Sequence, residues 1–514
     1  MSETKIVHVY KADGLFIKSS DLTERDKQIL YDRYTVRFYN DKVCGKCEHF
    51  PYRHSEEFCQ PCAAFTDEVR LAHELSIKGN KYVKTPLGDR LQLMSWLHAK
   101  GHQAQVVNAT KAAKKYPLKF IGTLRSYQVG VPEAMVRAGR GVLQAPARSG
   151  KTTMACAIVC KVGEKALIVA AQKEWLDGFY DTFVGSETTP KMSNVPKDKI
   201  GYCKKAEDFQ KYAVCLATYQ TFINERGGKL LQKIKDMFGV IVVDEVHGGA
   251  AFHFLRILSQ FNAKHVFGLT ATPDRKDGKY KLVDMVVGRV AHTVKREVLK
   301  CRWIPTRTKF KDNRSTGLWT NLVKRLEKDP KRLKFIAECA ISDIKAGHVV
   351  LIPFAQVTPI KALVATINKL AGEKLAYEFT GGMRKQDRKK LIQDAQQGQI
   401  KCIVGTNKLL SVGTNIPPAS AWYGTTLNSN LPNAVQRYSR ILTPHEGKMQ
   451  PIVRFFMDDY KVARSCARTE WFGVIHKHFA PIMSEKDEQI WNAWLSGKDG
   501  MIEYGKRKTP LLGW

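Results

Sequence analysis

Short apolar runs alternate with longer amphipathic segments in two stretches of the chain. In the first stretch each run has four or five residues, and the runs are Gly141–Gln144, Ala166–Ala170, Val214–Ala217, Val240–Val243 and Val266–Leu269. Continuous runs rich in Val, Ile and Leu are typical of strands that are buried on both faces of a parallel sheet. The intervening segments are long enough for crossover helices. The pattern therefore predicts an α/β domain over residues 116–300.

The alternation stops near residue 300 and then resumes. We expect a linker that includes a helix over residues 301–335, which are polar and basic. A second α/β domain is expected over residues 336–465, where the apolar runs are Val349–Phe354, Ala376–Phe379, Ile400–Val404, Ala421–Thr425 and Ile452–Met457. Residues 1–115 lack this rhythm and are expected to form an N-terminal accessory domain. Residues 466–514 are expected to form a helical tail with aromatic and basic side chains.

The chain carries a large excess of positive charge. It has 83 Lys and Arg against 49 Asp and Glu in 514 residues, a formal net charge of +34. Such a surplus repels itself unless the working partner is a polyanion, which favours nucleic acid over a generally basic protein without one. No apolar run is long enough to span a bilayer, and no apolar leader follows Met1. We therefore expect no membrane partner and a cytoplasmic protein.

A phosphate-binding loop is the strongest local signal. It follows an apolar run and precedes a helical pattern, the context that this motif requires. Backbone N–H groups and the helix N-terminus cradle phosphates in such a loop, while Lys151 neutralises charge and Thr152 offers a hydroxyl to Mg²⁺. The predicted contacts of ATP and Mg²⁺ in this loop are Ala145, Pro146, Ala147, Arg148, Ser149, Gly150, Lys151, Thr152 and Thr153. Ala145 stands where the motif usually has glycine.

Two adjacent carboxylates form a candidate second half of an ATPase site. Asp244 and Glu245 follow the run Val240–Val243, at the carboxyl end of a predicted parallel strand, where ligands of open α/β sheets bind. We expect Asp244 to hold Mg²⁺ and Glu245 to orient and deprotonate the attacking water. Such a pair is also compatible with ordinary surface charge, but its position after the phosphate loop favours an ATPase.

The segment Asp244-Glu245-Val246-His247 resembles the DExH box of superfamily 2 helicases, and further motifs of that superfamily follow in order over residues 124–442. In the first domain the resemblance implies adenine contacts by Arg125 and Gln128, strand contacts by Gln172, Lys173 and Thr218, and coupling by Thr270 and Thr272. In the second domain it implies strand contacts by Phe354, Thr380 and Thr406, and roles at the ATP site for Gln436, Arg437 and Arg440.

The architecture that this family implies is two RecA-like domains in tandem with ATP between them. Arg440 would act as an arginine finger, and movement of the two domains would ratchet a strand along. The chain departs from the family at Thr443, where a second arginine is common, and at Asn415, where aspartate is common. Arg437 is a candidate substitute for the missing arginine. A nucleic-acid-binding clamp with a relic ATPase is an alternative that remains open.

Two motifs favour DNA over RNA. Thr270–Pro273 and Ala171–Trp175 differ from the Ser-Ala-Thr and Pro-Thr-Arg-Glu-Leu strings of RNA-handling DEAD-box members. The size and small accessory domains are most similar to phage-encoded branch-migration helicases. The resemblance thus implies an ATP-dependent DNA helicase that unwinds or branch-migrates forks and junctions, with replication or recombination proteins as further partners. A double-stranded DNA translocase that does not unwind, and an RNA helicase, are the alternatives.

Two Cys-x-x-Cys pairs near the N-terminus predict a structural zinc site. The four cysteines are Cys44, Cys47, Cys59 and Cys62. Four thiolates in two such pairs suit tetrahedral Zn²⁺, and the metal would fold a small lobe over residues 40–65 that has little apolar material of its own. Free or redox-active thiols are the alternative. The expected cofactors are therefore ATP, Mg²⁺ and Zn²⁺.

Overall fold

The computed structural model describes residues 6–11, 14–39, 65–108, 113–146, 148–187, 189–223, 225–246, 254–255, 257–271, 280–295, 299–311, 319–411, 416–426, 434, 437–459, 461–479 and 481–496. The chain divides into two compact units, Met1–Arg296 and Glu297–Trp514. None of the helices in these described ranges is both long enough and apolar enough to cross a membrane.

The strands are β1 Ile6–Lys11, β2 Leu15–Lys18, β3 Thr35–Tyr39, β4 Phe65–Arg70, β5 His73–Ile77, β6 Asn80–Thr85, β7 Gln103–Asn108, β8 Arg140–Gln144, β9 Ala166–Ala170, β10 Ile200–Tyr202, β11 Val214–Thr218, β12 Val240–Val243, β13 His265–Thr270, β14 Val290–Thr293, β15 Arg302–Lys311, β16 Val350–Phe354, β17 Ala376–Phe379, β18 Cys402–Thr406, β19 Ala421–Gly424 and β20 Ile452–Asp459.

The α-helices are α1 Glu24–Arg33, α2 Arg90–Ala99, α3 Val131–Ala138, α4 Lys151–Val162, α5 Lys173–Val184, α6 Ala206–Lys211, α7 Gln220–Ile223, α8 Glu225–Ile234, α9 Tyr280–Val286, α10 Trp319–Lys328, α11 Pro330–Lys345, α12 Thr358–Ala371, α13 Lys385–Gln396, α14 Asn407–Ser411, α15 Lys461–Glu470, α16 His476–Phe479 and α17 Glu485–Ser496. Short 3-10 turns occur at Ser19–Asp21, Leu87–Asp89, Ser126–Gln128 and Lys197–Lys199, and a π-helical turn occurs at Trp471–Ile475.

A parallel sheet dominates the first unit. In its described part the strand order is β10-β11-β9-β12-β13-β8-β14, and every pairing is parallel. Strands β9 and β12 are buried along their whole length, as their continuous apolar sequences predicted. The parallel α/β fold expected for residues 116–300 is confirmed. Because all strands run the same way, the loops after their carboxyl ends meet at one edge of the sheet.

The N-terminal residues form a second sheet in the same unit. Its order is β5-β6-β2-β1-β7, with β1 and β7 parallel and the other pairs antiparallel. Its buried side chains, such as Val9 and Ile17, belong to one hydrophobic cluster with those of the parallel sheet. Gly88 lies so close to helix α9 that a Cβ atom would stand 2.5 Å from the Asp284 carbonyl oxygen. Only glycine permits this approach, and the N-terminal sheet is therefore tightly joined to the parallel sheet.

A parallel sheet also forms the centre of the second unit. Its order in the described residues is β15-β20-β19-β16-β18-β17, again with parallel pairing. Helices α11 and α12 pack on one another and bury apolar side chains such as Ile336 and Leu363 against the sheet. The parallel-sheet fold expected for residues 336–465 is confirmed.

The structure differs from the linker expected over residues 301–335. Arg302–Lys311 is the edge strand β15, paired in parallel with β20, and helices α10 and α11 follow it. Buried residues such as Trp303 alternate with exposed residues such as Arg302. An edge strand with one exposed face lacks the continuous apolar run that marks a central strand, so the sequence of this segment does not indicate a strand by that pattern. Residues after Arg302 therefore belong to the second unit.

The described part of the tail is helical and contributes to the second core. Trp471, Trp491 and Trp494 are each at most 5% exposed and cluster with Trp303 and Phe455. The ring centroids of Trp303 and Trp491 lie 5.6 Å apart at 66°, an edge-to-face arrangement. These three tryptophans of the described tail thus form hydrophobic core, whereas Phe472 is 52% exposed.

Candidate functional site

The phosphate loop leaves the carboxyl end of β8 and enters helix α4. Gly150 has φ +80° and Arg148 has φ +61°, so two residues of the loop adopt the left-handed region. For a non-glycine residue this conformation costs energy, and such strain is concentrated at functional sites. The Ala145 N–H donates to the Thr270 carbonyl oxygen over 2.9 Å. This bond ties the loop to the end of the neighbouring strand β13.

Lys151 and Glu245 come together in the fold although they are 94 residues apart in the sequence. The Lys151 Nζ atom donates to the Glu245 carboxylate over 2.9 Å, and the two side chains are only 14% and 17% exposed. Glu245 also has φ +45°, a strained value. The structure thus brings the two predicted halves of the ATPase site into direct contact at one edge of the sheet.

The surroundings of Asp244 disfavour the charged form of its carboxyl group. Burial and the adjacent Glu245 carboxylate raise the pKa of Asp244 to about 7, while the Lys151 ammonium opposes the rise. A neighbouring divalent cation would favour the ionised form, because an opposite charge nearby lowers the pKa of an acid. The position therefore suits a group that becomes fully charged when it holds a metal ion.

Tyr219 fixes the backbone around Asp244. Its side chain is 1% exposed, its hydroxyl donates to the Asp244 carbonyl oxygen, and its own N–H donates to Ala170 over 3.1 Å. The Asp244 N–H donates to Val169 over 2.9 Å. Sequence reasoning gave Tyr219 no role, although it lies beside the predicted strand contact Thr218. Hydrogen bonds of Tyr219 therefore connect the end of β11 to the backbone that carries Asp244 and Glu245.

Gln128 supports the phosphate loop from behind. Its side-chain amide donates to the Ser149 carbonyl oxygen over 2.6 Å, and its side-chain oxygen accepts from the Arg125 N–H over 2.9 Å. Gln128 is 3% exposed and braces the loop, and the adenine contact that the resemblance implies for it stays a prediction. The Arg125 side chain donates to the Tyr127 hydroxyl over 3.0 Å at an exposed position, so it is accessible to a ligand.

These residues form a donor set that fits a nucleotide and its metal. The helix α4 N-terminus begins at Lys151 and continues through Thr152 and Thr153, which offers backbone N–H groups to an anion. The Ser149 hydroxyl is fully buried and has no hydrogen-bond partner among the described residues. Asp244 supplies hard oxygen ligands of the kind that Mg²⁺ prefers. The arrangement is suited to phosphoryl chemistry.

The predicted strand contacts of the first unit lie at the same edge of the sheet. Gln172 precedes helix α5 after β9, and Thr218 ends β11. Lys173 is exposed, with its ammonium 5.0 Å from the centre of the Tyr202 ring. The Thr218 and Thr221 hydroxyl oxygens are 3.4 Å apart. Polar groups thus line the edge after two neighbouring strands.

In the second unit the structure corrects one predicted strand contact. Phe354 is 0% exposed and lies in the hydrophobic core, so its side chain is not available to a nucleic acid. The N–H groups of Ala355 and Gln356 that follow it donate to the buried Glu327 carboxylate over 2.7 and 3.0 Å. Sequence reasoning missed Glu327, since no local pattern marks it. Its carboxylate fixes the loop after β16.

Two further predicted strand contacts follow other strands of the second sheet. Thr380 comes directly after β17 and is 6% exposed. Thr406 ends β18, is half-buried and pairs in register with Phe354. Both threonines therefore lie at the carboxyl-terminal edge of the sheet, and their role as strand contacts stays a prediction.

The described arginines of the last motif have different surroundings. Arg437 is 4% exposed and donates to the Glu470 carboxylate over 2.6 Å, with the Tyr438 hydroxyl on the same carboxylate at 2.8 Å. Arg437 is thus engaged in a buried ion pair, and its substitution for the arginine missing at Thr443 stays a hypothesis. Arg440 is half-buried. Sequence reasoning missed Glu470, which lies in the tail helix α15.

Several predicted residues lie outside the described ranges. They are Cys44, Cys47, Cys59, Cys62, Ala147, Thr272, Asn415 and Gln436. Among the residues that are described, no group of His, Cys, Asp and Glu side chains is placed to hold a metal ion. The zinc site and these individual roles stay predictions.

Comparison with known proteins finds similarity to helicases. Residues 97–275 match the family described as type III restriction enzyme, res subunit. A putative ATP-dependent RNA helicase of Acanthamoeba polyphaga mimivirus is 24% identical over 417 residues, which are 74% of each protein. The probable helicase D10 of Escherichia phage T5 is 26% identical over 327 residues, 59% of this chain and 64% of the phage protein.

A solved structure shares the fold. A fragment of a putative HsdR subunit of a type I restriction enzyme from Vibrio vulnificus aligns over 71% of this chain and 68% of that one, with a TM-score of 0.52 and 16% identity. At this identity the likeness concerns the fold alone. In sequence, residues 97–275 match the type III restriction enzyme res-subunit family, and the relatives named above are described as helicases.

Proposed function

We propose that this protein is an ATP-dependent DNA helicase that unwinds or branch-migrates forked and junction DNA. The observation that carries the proposal is the contact between Lys151 of the phosphate loop and Glu245, beside the half-buried Asp244. A helicase family with this arrangement couples phosphoryl chemistry to movement along a strand.

The residues of the first unit divide the chemistry among them. Lys151 stabilises phosphate charge, Thr152 and Asp244 hold Mg²⁺, and Glu245 orients the attacking water and takes its proton. Lys151 must exchange its Glu245 partner for a phosphate oxygen before Glu245 is free to act as a base. Glu245 therefore stays paired with Lys151 over 2.9 Å until a phosphate oxygen of ATP binds the lysine. ATP supplies the phosphoanhydride bond that is cleaved.

The charge of the chain and its relatives support nucleic acid as the partner. The net charge of +34 matches a polyanion. Relatives described as DNA 3′-5′ helicases include Rad25 of Halobacterium salinarum, 31% identical over 166 residues, 26% of that protein. The backbone-contacting positions carry hydroxyls and a lysine, which position a strand without reading its bases. The differences at Thr270–Pro273 and Ala171–Trp175 favour DNA over RNA. Forks and junctions are the more specific DNA substrates that we propose.

An RNA helicase is the second candidate function, because the relative from Acanthamoeba polyphaga mimivirus is described as a putative RNA helicase. A DNA translocase that does not unwind is the third. The three are separated by substrate: fork unwinding, RNA duplex unwinding, or ATP hydrolysis stimulated by DNA without strand displacement.

The test is strand displacement from labelled forks, four-way junctions and RNA duplexes, with and without ATP. Lys151→Ala and Glu245→Gln are expected to abolish ATP hydrolysis and displacement. Lys161→Ala is the matched control, because it removes a lysine from the same helix α4 that also pairs with a glutamate, Glu133, over 2.9 Å but is 51% exposed. Displacement that survives Lys151→Ala would refute the motor, and faster unwinding of RNA than of forks would refute the DNA assignment.

We further propose that Cys44, Cys47, Cys59 and Cys62 bind one structural Zn²⁺. The two flanking strands support it: β3 and β4 pair antiparallel, with Tyr39 opposite Phe65. This pairing brings the ends of the cysteine-containing segment together, and closing a loop whose ends are already joined costs less entropy. Metal binding would then supply the folding energy that a segment with few apolar residues lacks.

A further inference from the structure

A basic cleft lies in the first unit, where the N-terminal sheet meets the parallel sheet. Its volume is about 330 Å³. Its positively charged lining residues come from both sheets: Lys11 ends β1, Arg90 begins α2, Arg137 lies in the last turn of α3, Arg140 begins β8, and Arg289 precedes β14. The cleft therefore exists only because the N-terminal residues dock on the ATPase fold.

No carboxylate belongs to the described lining of this basic cleft. Two acids interact with arginines near this lining: Asp89 is paired with Arg33 at 3.1 Å, and Asp284 interacts with Arg289. Like charges repel one another by about 1 kcal/mol per pair at 4 Å in water and by more at lower dielectric. The charged side chains in the described lining of the cleft are all positive.

The Arg140 side chain is hydrogen-bonded to uncharged backbone groups. Its guanidinium donates to the carbonyl oxygens of Ala263 and Val286 over 3.0 and 2.9 Å, and neither partner carries a charge. Burial lowers the pKa of Arg140, and burial together with Arg90, Arg140 and Lys264 lowers the pKa of Lys11. Arg140 remains cationic at neutral pH, since an arginine keeps its proton in proteins. An anion in the cleft would relieve the repulsion.

The basic cleft is separate from the ATPase site. Arg140 is the first residue of β8, and the phosphate loop follows the last residue of the same strand. A strand of five residues spans about 16 Å at about 3.3 Å per residue. The cleft and the Lys151–Glu245 contact therefore lie at opposite edges of the parallel sheet, and a phosphate group bound in one does not contact the other.

We propose that this cleft binds a phosphate group of a nucleic-acid backbone, as a second contact apart from the motor site. Arginine offers a planar fork of N–H donors that matches phosphate oxygens, and arginines make up most of the basic lining. Arg90, Arg137 and Arg289 are exposed, so a chain too large to enter a closed pocket still reaches them. A free phosphate shares this chemistry and is the competing occupant.

The test compares two double variants in the full-length protein without nucleotide. Arg90→Gln with Arg137→Gln removes two exposed cations of the cleft, and Arg25→Gln with Lys197→Gln removes two exposed cations elsewhere in the same unit. Affinity for a fluorescein-labelled DNA duplex is followed by anisotropy across salt concentrations. Losing two phosphate contacts flattens the slope of log K against log salt by about 1.8, so the loss of affinity between about 50 and 200 mM salt shrinks about twelvefold.

Equal slopes for both double variants and wild type would overturn the proposal, and so would an equal flattening in both variants. The second arm measures the thermal stabilisation given by inorganic phosphate in a Lys151→Ala background, which weakens the competing phosphate loop. If Arg90→Gln with Arg137→Gln abolishes that stabilisation but leaves duplex affinity intact, the occupant is free phosphate and the nucleic-acid contact is refuted. Neither arm requires unwinding, so failure of the proposed motor would leave the result interpretable.

Discussion

The stability of the protein is expected to depend on pH through Asp244. Its pKa is raised from 3.8 to about 7 by burial and by the Glu245 carboxylate. The folded protein thus keeps this proton to a higher pH than the unfolded chain does. Between about pH 4 and pH 7 the native state binds more protons than the unfolded state, so its stability falls as the pH rises. At about 1.36 kcal/mol per pKa unit, the full loss is about 4 kcal/mol.

Asp244→Asn removes the titrating group while keeping its shape. In metal-free buffer, the Tm of the variant should match that of wild type near pH 4 and exceed it by on the order of 10 °C at pH 8, taking about 2–4 °C per kcal/mol for a domain of this class. Differential scanning calorimetry from pH 4 to pH 8 measures the difference. The same variant should hydrolyse no ATP, because the amide cannot replace the carboxylate at the metal.

Asp198→Asn is the matched control for this experiment. Asp198 is 68% exposed and forms only a surface ion pair with Lys199, at 3.4 Å. Its substitution should leave the pH profile of Tm unchanged, because exposed pairs contribute little. A Tm difference between Asp244→Asn and wild type that stays constant from pH 4 to pH 8 would refute the assigned pKa and its origin.

Three further outcomes follow from individual contacts. Glu470→Gln should destabilise the second unit by about 3–5 kcal/mol, seen as an earlier urea midpoint, because it leaves Arg437 buried without its 2.6 Å partner; an unchanged midpoint would show that the pair is not buried in solution. Phe354→Ala should cost about 3–5 kcal/mol of stability through a core cavity, and a loss of DNA affinity with unchanged stability would instead restore its role as a strand contact. Elemental analysis should find about one zinc per chain, lost in a Cys44→Ser and Cys47→Ser double variant; a folded protein without metal would contradict the site.

The continuity of apolar residues made the central strands readable from the sequence. Ala166–Ala170 and Val240–Val243 are strands with the predicted limits and are buried throughout. A strand covered on both faces must be apolar at every position, so its own residues carry the signal. The phosphate loop before helix α4 was also readable from the sequence, because Gly150 and Lys151 are adjacent in the chain and act through their own backbone and side chains.

The edge strand and the core side chains were harder to predict. Arg302–Lys311 alternates exposed and buried residues because it forms a sheet edge, and it was interpreted as a linker. Phe354 lies in the predicted motif, but the direction of its side chain depends on the packing of β16 between its neighbours. Position in a motif therefore located the loop correctly without deciding which atoms face outward.

The sequence alone determined the α/β class, the two carboxylates and the phosphate loop, since each rests on neighbouring residues. Only the tertiary structure decided the partners: Glu245 for Lys151, Glu470 for Arg437, and the docked N-terminal sheet that completes the basic cleft. Ion pairs between distant segments leave no periodic trace in a sequence, because the distance between two charges is set by the packing of the whole core.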